Sequence, residues 1–291
     1  MLFDLVIRLA AIVGLLLVVS LVVVVGRNRI MRPVSSHRDR LLDIAPYTGL
    51  LAFVLVGNKI ARDIGPQVSW LVGWNVTSYL HWFDGGLLWP IFPNDTPQLV
   101  VFLQSMETPV LTAYFSFIYI YGYVLLLVFP LVAYFLLDKP HPLRRTIVAY
   151  AANYIIGVAC YIVFIAYGPR NYEIGEGLLY ITYAEYSLLT TTINANVNVF
   201  PSLHTSLAVT VALLAWSTRE EYPLWVPVAA LIAGSVVVST MYLGIHWAAD
   251  VVAGILLAYA SVRIGRRYER HRPDVNWVRR RIDGVTLVRG R

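Results

Sequence analysis

Seven apolar stretches constrain this chain more than any other feature. They run near residues 4–26, 43–62, 110–137, 144–167, 202–217, 224–242 and 246–265. A helix rises about 1.5 Å per residue and the hydrocarbon slab is about 30 Å thick, so a crossing takes about 17 to 25 apolar residues. Inside lipid every backbone N–H and C=O must be paired within the structure, which makes helices the form for stretches of this length. Composition agrees: 58% of the residues are hydrophobic and 14% charged, where an ordinary soluble domain carries about 25% charged. The expected fold class is all-α, a polytopic transmembrane helical bundle. In 291 residues too little polar sequence remains for a second domain with its own core. The organisation expected is an N-terminal transmembrane helix with a basic cytoplasmic linker over 1–42, a membrane domain over 43–265, and a basic cytoplasmic tail over 266–291. Asp4 and Arg8 interrupt any basic leader and no small-residue cleavage site follows, so the first stretch reads as a span and not as a signal peptide.

Charge sets the orientation. Arg27, Arg29, Arg32, Arg38 and Arg40 follow the first span, Lys139, Arg144 and Arg145 the third, Arg219 the fifth, and the tail the seventh. Seven spans with the N-terminus outside place all four groups on the cytoplasmic side. Ten of the 23 Lys and Arg residues fall between Arg263 and Arg291, directly after the last span. That placement fits an orientation signal and anionic-lipid contact rather than nucleic acid. The connections near 63–109 and 168–200 then lie outside. The first holds Trp70, Trp74, Tyr79, Trp82 and Trp89 among Gly and Pro, a composition for a shelf in the headgroup region. The sole cysteine, Cys160, sits within an apolar stretch and reads as a small buried hydrophobe.

Of six histidines, His37, His141 and His271 fall in basic cytoplasmic stretches, and His81 in the aromatic connection, where it reads as interfacial padding. His204 and His246 stand at the outer starts of spans. His246 and Asp250 are four residues apart, so on a helix they share a face. A carboxylate that accepts the proton of one ring nitrogen leaves the other free to attack. Ionisable groups at a span's edge are costly unless they face a polar cavity, so they point to function. Pro201 suits a first helical turn, and two helix starts on one side offer N–H groups and positive dipole ends to an anion. Arg170, in Gly168-Pro169-Arg170, adds a fork suited to phosphate oxygens. There is no HExxH-like pair, and no metal or cofactor is expected.

Pro201-Ser202-Leu203-His204 and Ser239-Thr240, five residues, His246, three residues, Asp250 resemble two of the three sequence elements of the type 2 phosphatidic acid phosphatase superfamily. The resemblance covers roughly residues 110–265 and implies a six-helix phosphatase core, here with one extra N-terminal transmembrane helix. It implies His246 as a nucleophile that forms a phosphohistidine, Asp250 as its orienting group and His204 as the acid for the leaving alcohol. Arg170, Ser202, Thr240 and Tyr242 are the phosphate contacts it implies. The substrate would be a phospholipid or lipid phosphate in the cell membrane, with the site on the extracytoplasmic side. Thr240 stands where the family has arginine, and Phe164 six residues before Arg170 where it has lysine. With two cations fewer, a singly charged phosphodiester is favoured over a phosphomonoester. The Phe200-to-His204 stretch and Thr240-Met241-Tyr242-Leu243 are closer to the inositol phosphorylceramide synthase branch, which transfers phosphoinositol between lipids. A transporter would place polar groups at mid-membrane, where little stands beyond Asn153; a non-catalytic scaffold would be indifferent to the spacing of the histidines and Asp250.

Overall fold

The structure is a computed structural model and describes residues 2–31, 38–92, 98–172, 174–186 and 199–270. His37, His271, Arg32 and the chain beyond 270 lie outside the described residues. Helix α1 spans Leu2–Ser20 and continues as a π turn over Leu21–Val25, followed by the short α2 (Arg27–Ile30). Helix α3 runs Arg38–Val72. Strand β1 (Trp74–Asn75), α4 (Thr77–Leu88) and α5 (Leu99–Gln104) follow. Helix α6 (Pro109–Phe117) passes through a π turn at Ile118–Gly122 into α7 (Tyr123–Phe135). Then come α8 (His141–Val163), β2 (Phe164–Ile165), a 3₁₀ turn at Pro169–Asn171 and α9 (Leu178–Thr182). The last three are α10 (Leu203–Ser217), α11 (Trp225–Tyr242) and α12 (Ala248–Arg270).

The fold is therefore all-α and polytopic. Six helical stretches are long and apolar enough to cross a bilayer, and Leu203–Ser217 is a shorter apolar seventh. Burial separates core from periphery: 56% of the best apolar window in α8 is buried, against 6% for the N-terminal helix. That first helix is an addition on the outside, and its Phe3, Leu15 and Val18 are exposed. The core lies among α7, α8, α10 and α11, where Leu126, Phe129, Leu207, Val211 and Trp225 are closed off. Phe129 and Trp225 have ring centroids 4.0 Å apart. In lipid, helix association gains little from hydrophobic transfer and depends on close packing, so small residues matter where backbones meet. Gly254 of α12 is such a point: a Cβ there would come within 2.6 Å of the Ser202 carbonyl oxygen.

Local signals explain several ends. Thr108 caps α6, its hydroxyl accepting from Leu111 N, with Pro109 next. Ser202 caps α10 by accepting from Thr205 N. Helix α3 differs from the sequence reading, which ended the span at 62. Hydropathy marks where the bilayer ends and not where the helix does, and Lys59 pairs with Asp63 one turn on at 2.6 Å. The connection expected near 63–109 is consequently built of helix as well: the end of α3, then α4 and α5, with β1 pairing in parallel to β2 through Trp74↔Phe164. Trp70, Trp74, Tyr79, Trp82 and Trp89 are all exposed there.

The basic groups gather at the opposite end. Arg144 is buried and donates to Asp43 and to Glu269, both at 2.7 Å, tying α8 to α3 and α12. Lys139 donates to Glu221 at 2.8 Å, and Arg29 lies 3.7 Å from the same carboxylate. Among the described residues, Arg29, Lys139, Arg144, Arg219 and Arg266, which follow the first, third, fifth and seventh spans, thus share one end of the bundle.

Candidate active site

At the other end three segments are stitched together by backbone hydrogen bonds. Ser202 N donates to the Asp250 carbonyl at 3.0 Å, joining the start of α10 to the first turn of α12. Arg170 N donates to the Gly244 carbonyl at 3.1 Å, joining the turn after β2 to the turn that carries His246. The Trp247 indole N–H donates to the Tyr167 carbonyl at 2.8 Å and reinforces the second joint. His204, His246, Asp250, Arg170 and Ser202, spread over 81 residues between 170 and 250, are brought to one end of the fold.

The turn at 243–247 is exact in its demands. Gly244 has φ +70°, a left-handed conformation that costs a side chain free energy. A Cβ there would also collide with the Glu176 carbonyl oxygen. Ile245 N and His246 N both donate to the Thr240 carbonyl, at 3.1 and 3.0 Å, which folds the chain back on α11. Thr240 is itself buried, with its hydroxyl donating to the Val237 carbonyl at 2.7 Å. The Tyr242 hydroxyl is 2.8 Å from Thr112 Oγ1, and its carbonyl accepts from Gln104 Nε2 at 3.0 Å. Both side chains stand next to the His246 turn and brace it.

His246 precedes α12 and does not lie on it, contrary to the helical reading of its spacing. The pair with Asp250 forms by another route. Trp247 is the residue before the first helical position, and Asp250, three residues on, reaches back to accept its N–H at 2.8 Å, one half of a capping box. The same Oδ2 lies 3.3 Å from His246 Nδ1. One carboxylate thus closes the helix start and orients the imidazole. Asp250 is wholly buried, and its Oδ1 has no hydrogen-bond partner among the described residues. The His246 ring is also within electrostatic range of Arg170.

His204 is the second residue of α10. Its ring stacks on Tyr119 at 4.5 Å between centroids and 20° between planes, and lies 4.4 Å from Tyr123. Nδ1 is 3.5 Å from the Tyr119 hydroxyl. Both tyrosines come from the π turn and the start of α7, where an extra residue per turn changes which side chains face inward. His204 is within electrostatic range of His246. Ser202 is fully buried, its Oγ used as the cap of α10. The Arg170 guanidinium lies 4.1 Å from the centroid of the Tyr180 ring.

Two participants escape a sequence reading. Asp84 of α4 is fully buried; its Oδ1 accepts from Ala248 N at 2.9 Å and its Oδ2 from Val100 N at 3.4 Å. Two carboxylates therefore serve the start of α12, where the helix dipole is positive. An acid inside an aromatic, Gly-rich connection was the available signal. His81 is the other: its ring is 5.6 Å from that of Trp247 and its Nε2 2.9 Å from Gln98 Nε2. It is packed behind the His246 turn, in place of the interfacial padding expected, because α4 folds the connection back over α12.

No solved structure matches this chain. An uncharacterized protein of the archaeon Methanocaldococcus jannaschii is 28% identical over 198 residues, covering 62% of this chain and 77% of the relative. The sequence profile of the PAP2 superfamily matches residues 97–264, a stretch that runs from α5 into α12 and takes in every residue of the site except Asp84 and His81. The chain belongs to the PAP2 superfamily.

Proposed function

We propose that this protein is a membrane-embedded lipid phosphatase or phosphotransferase that works through a phosphohistidine on His246, at the non-cytoplasmic face of the cell membrane. The observation that carries the reading is the 3.3 Å contact between His246 Nδ1 and Asp250 Oδ2, on a turn bonded to both the Arg170 and the Ser202 segments. With Nδ1–H donated to Asp250, the other ring nitrogen keeps a lone pair. That unprotonated nitrogen attacks phosphorus: an N–P bond forms and the P–O bond to the lipid alcohol breaks. His204 delivers the proton that the leaving oxygen takes up. Water or a second alcohol then attacks phosphorus, His204 accepts its proton, and the N–P bond breaks. Arg170 and the N–H groups at the start of α10 hold phosphate oxygens, with Ser202, Thr240 and Tyr242 shaping the walls.

A second reading, transfer of a phosphoinositol-type group, is favoured by Thr240 in the place of the family's arginine, since its buried hydroxyl brings no charge. One experiment separates the two. Purified protein is given phosphatidate, an isoprenoid diphosphate or phosphatidylinositol, each with and without an acceptor lipid, and free phosphate and new phospholipid are measured together. Free phosphate, or inositol phosphate from phosphatidylinositol, without a new phospholipid means hydrolysis; a new phospholipid means transfer. If neither appears with any donor, or if His246→Ala retains turnover, the proposal fails.

A further inference from the structure

Arg62 brings a charge to this site from outside the stretch matched to the family. It lies on α3, within a segment apolar enough to cross a bilayer, and before residue 97, where the family match begins. Arg62 stands in the last turn of that apolar segment, which ends at Gly65, where a guanidinium either reaches out to the headgroups or faces inward to a polar site. The neighbouring acid, Asp63, is held by Lys59 at 2.6 and 2.7 Å. Arg62 points the other way: its guanidinium carbon is 5.2 Å from the centroid of the Tyr161 ring. The Tyr161 hydroxyl in turn donates to the Pro201 carbonyl at 3.1 Å, the peptide that leads into Ser202 and His204. Arg62 thus stands one aromatic ring away from the turn that carries two of the site's groups. It is also within electrostatic range of His204, Tyr119 and Tyr123. Arg170 is within range of Tyr119 and of His246, so the stacked Tyr119–His204 pair is in reach of both guanidiniums.

We propose that Arg62 is a second phosphate-binding cation, serving the His204 side of the site as Arg170 serves the His246 side, and that the site takes a lipid whose headgroup ends in a doubly charged phosphate. The proposal rests on the phosphohistidine reading above and adds to it the charge of the substrate. A terminal phosphomonoester approaches two negative charges near neutral pH and a phosphodiester carries one. On the family's own sequence elements the site has one arginine; Arg62 makes two and offsets the charge that Thr240 leaves out. Two forked cations on a dianion form charge-assisted hydrogen bonds that a diester, short of one anionic oxygen, cannot fully use.

The test uses the purified full chain in detergent, with orthovanadate binding measured at equilibrium and turnover of dioctanoyl phosphatidate compared with dioctanoyl phosphatidylinositol. Arg62→Gln is expected to weaken orthovanadate binding about tenfold or more, and to lower kcat/KM for the monoester about ten times further than for the diester. Arg62→Lys keeps the charge but loses the fork and should fall between wild type and Arg62→Gln. Orthovanadate binding within about twofold of wild type in folded Arg62→Gln, or equal losses for both lipids, overturns the proposal. Should the Gln variant fail to fold, unchanged binding and unchanged lipid preference in Arg62→Lys overturn it equally. Wild-type protein that binds no orthovanadate and turns over neither lipid overturns the phosphohistidine reading and this proposal with it. An active wild type with an indifferent Arg62→Gln overturns this proposal alone.

Discussion

Asp84→Ala should loosen the start of α12 and, through it, the His246 turn. The carboxylate is fully buried and accepts from Ala248 N at 2.9 Å, with a longer bond from Val100 N at 3.4 Å. A buried N–H that loses its acceptor costs about 1–3 kcal/mol. Removing a negative charge from a helix N-terminus adds about 0.3–2 kcal/mol. The weaker bond to Val100 adds little, so the alanine variant should lose about 2–4 kcal/mol. Asp84→Asn keeps an oxygen for Ala248 N but turns an amide N–H toward Val100 N, and should lose about 1 kcal/mol. The two variants also differ in pH dependence. Burial holds the Asp84 carboxyl above its ordinary value of 3.8, so the folded protein binds this proton more tightly than the unfolded chain does. That contribution is full below the ordinary value and is lost as pH rises through the raised one. Wild-type stability should show the decline, and Asp84→Asn should lack it. Equilibrium unfolding in mixed micelles over a pH series reads both quantities. An alanine variant within about 0.5 kcal/mol of wild type refutes the capping role, and an asparagine variant with the wild-type pH slope refutes the raised carboxyl as its source.

Gly244→Ala should place a Cβ against the Glu176 carbonyl at a residue with φ +70°. A shift of about 1 Å in His246 then lowers turnover about a hundredfold. Steady-state kinetics check this, and a kcat within about twofold of wild type would speak against a rigid turn. Arg144→Ala leaves Glu269 and Asp43 facing an empty site and should destabilise by about 3 kcal/mol. Arg144→Met should do better than alanine because it refills the volume, and unfolding in the same micelles ranks the two.

The apolar pattern carried most of the fold, because a bilayer imposes a length and a composition on each crossing that sequence displays directly. It also singled out His204, His246 and Asp250 as candidates, by their places at the outer starts of spans and the four-residue spacing of the last two. The rest was not legible. Helix α3 runs to Val72 because polar residues such as Lys59 and Asp63 sustain a helix that hydropathy alone ends at 62. His246 stands in a turn before α12, and only the bond from Trp247 N to Asp250 shows where that helix starts. Asp84 reaches Ala248 across 164 positions and Arg62 packs on Tyr161 across 99, and no local pattern encodes a contact of that span. His81 likewise packs on Trp247 only because α4 folds back over α12.

The most direct test of the account is to trap the intermediate. Protein given a ³²P-labelled lipid phosphate and quenched in alkali should retain label with the stability of a phosphohistidine and the lability of one in acid, and peptide mapping should place it on His246. His246→Ala should carry none. Label on another residue, or equal label in the His246→Ala variant, contradicts the account.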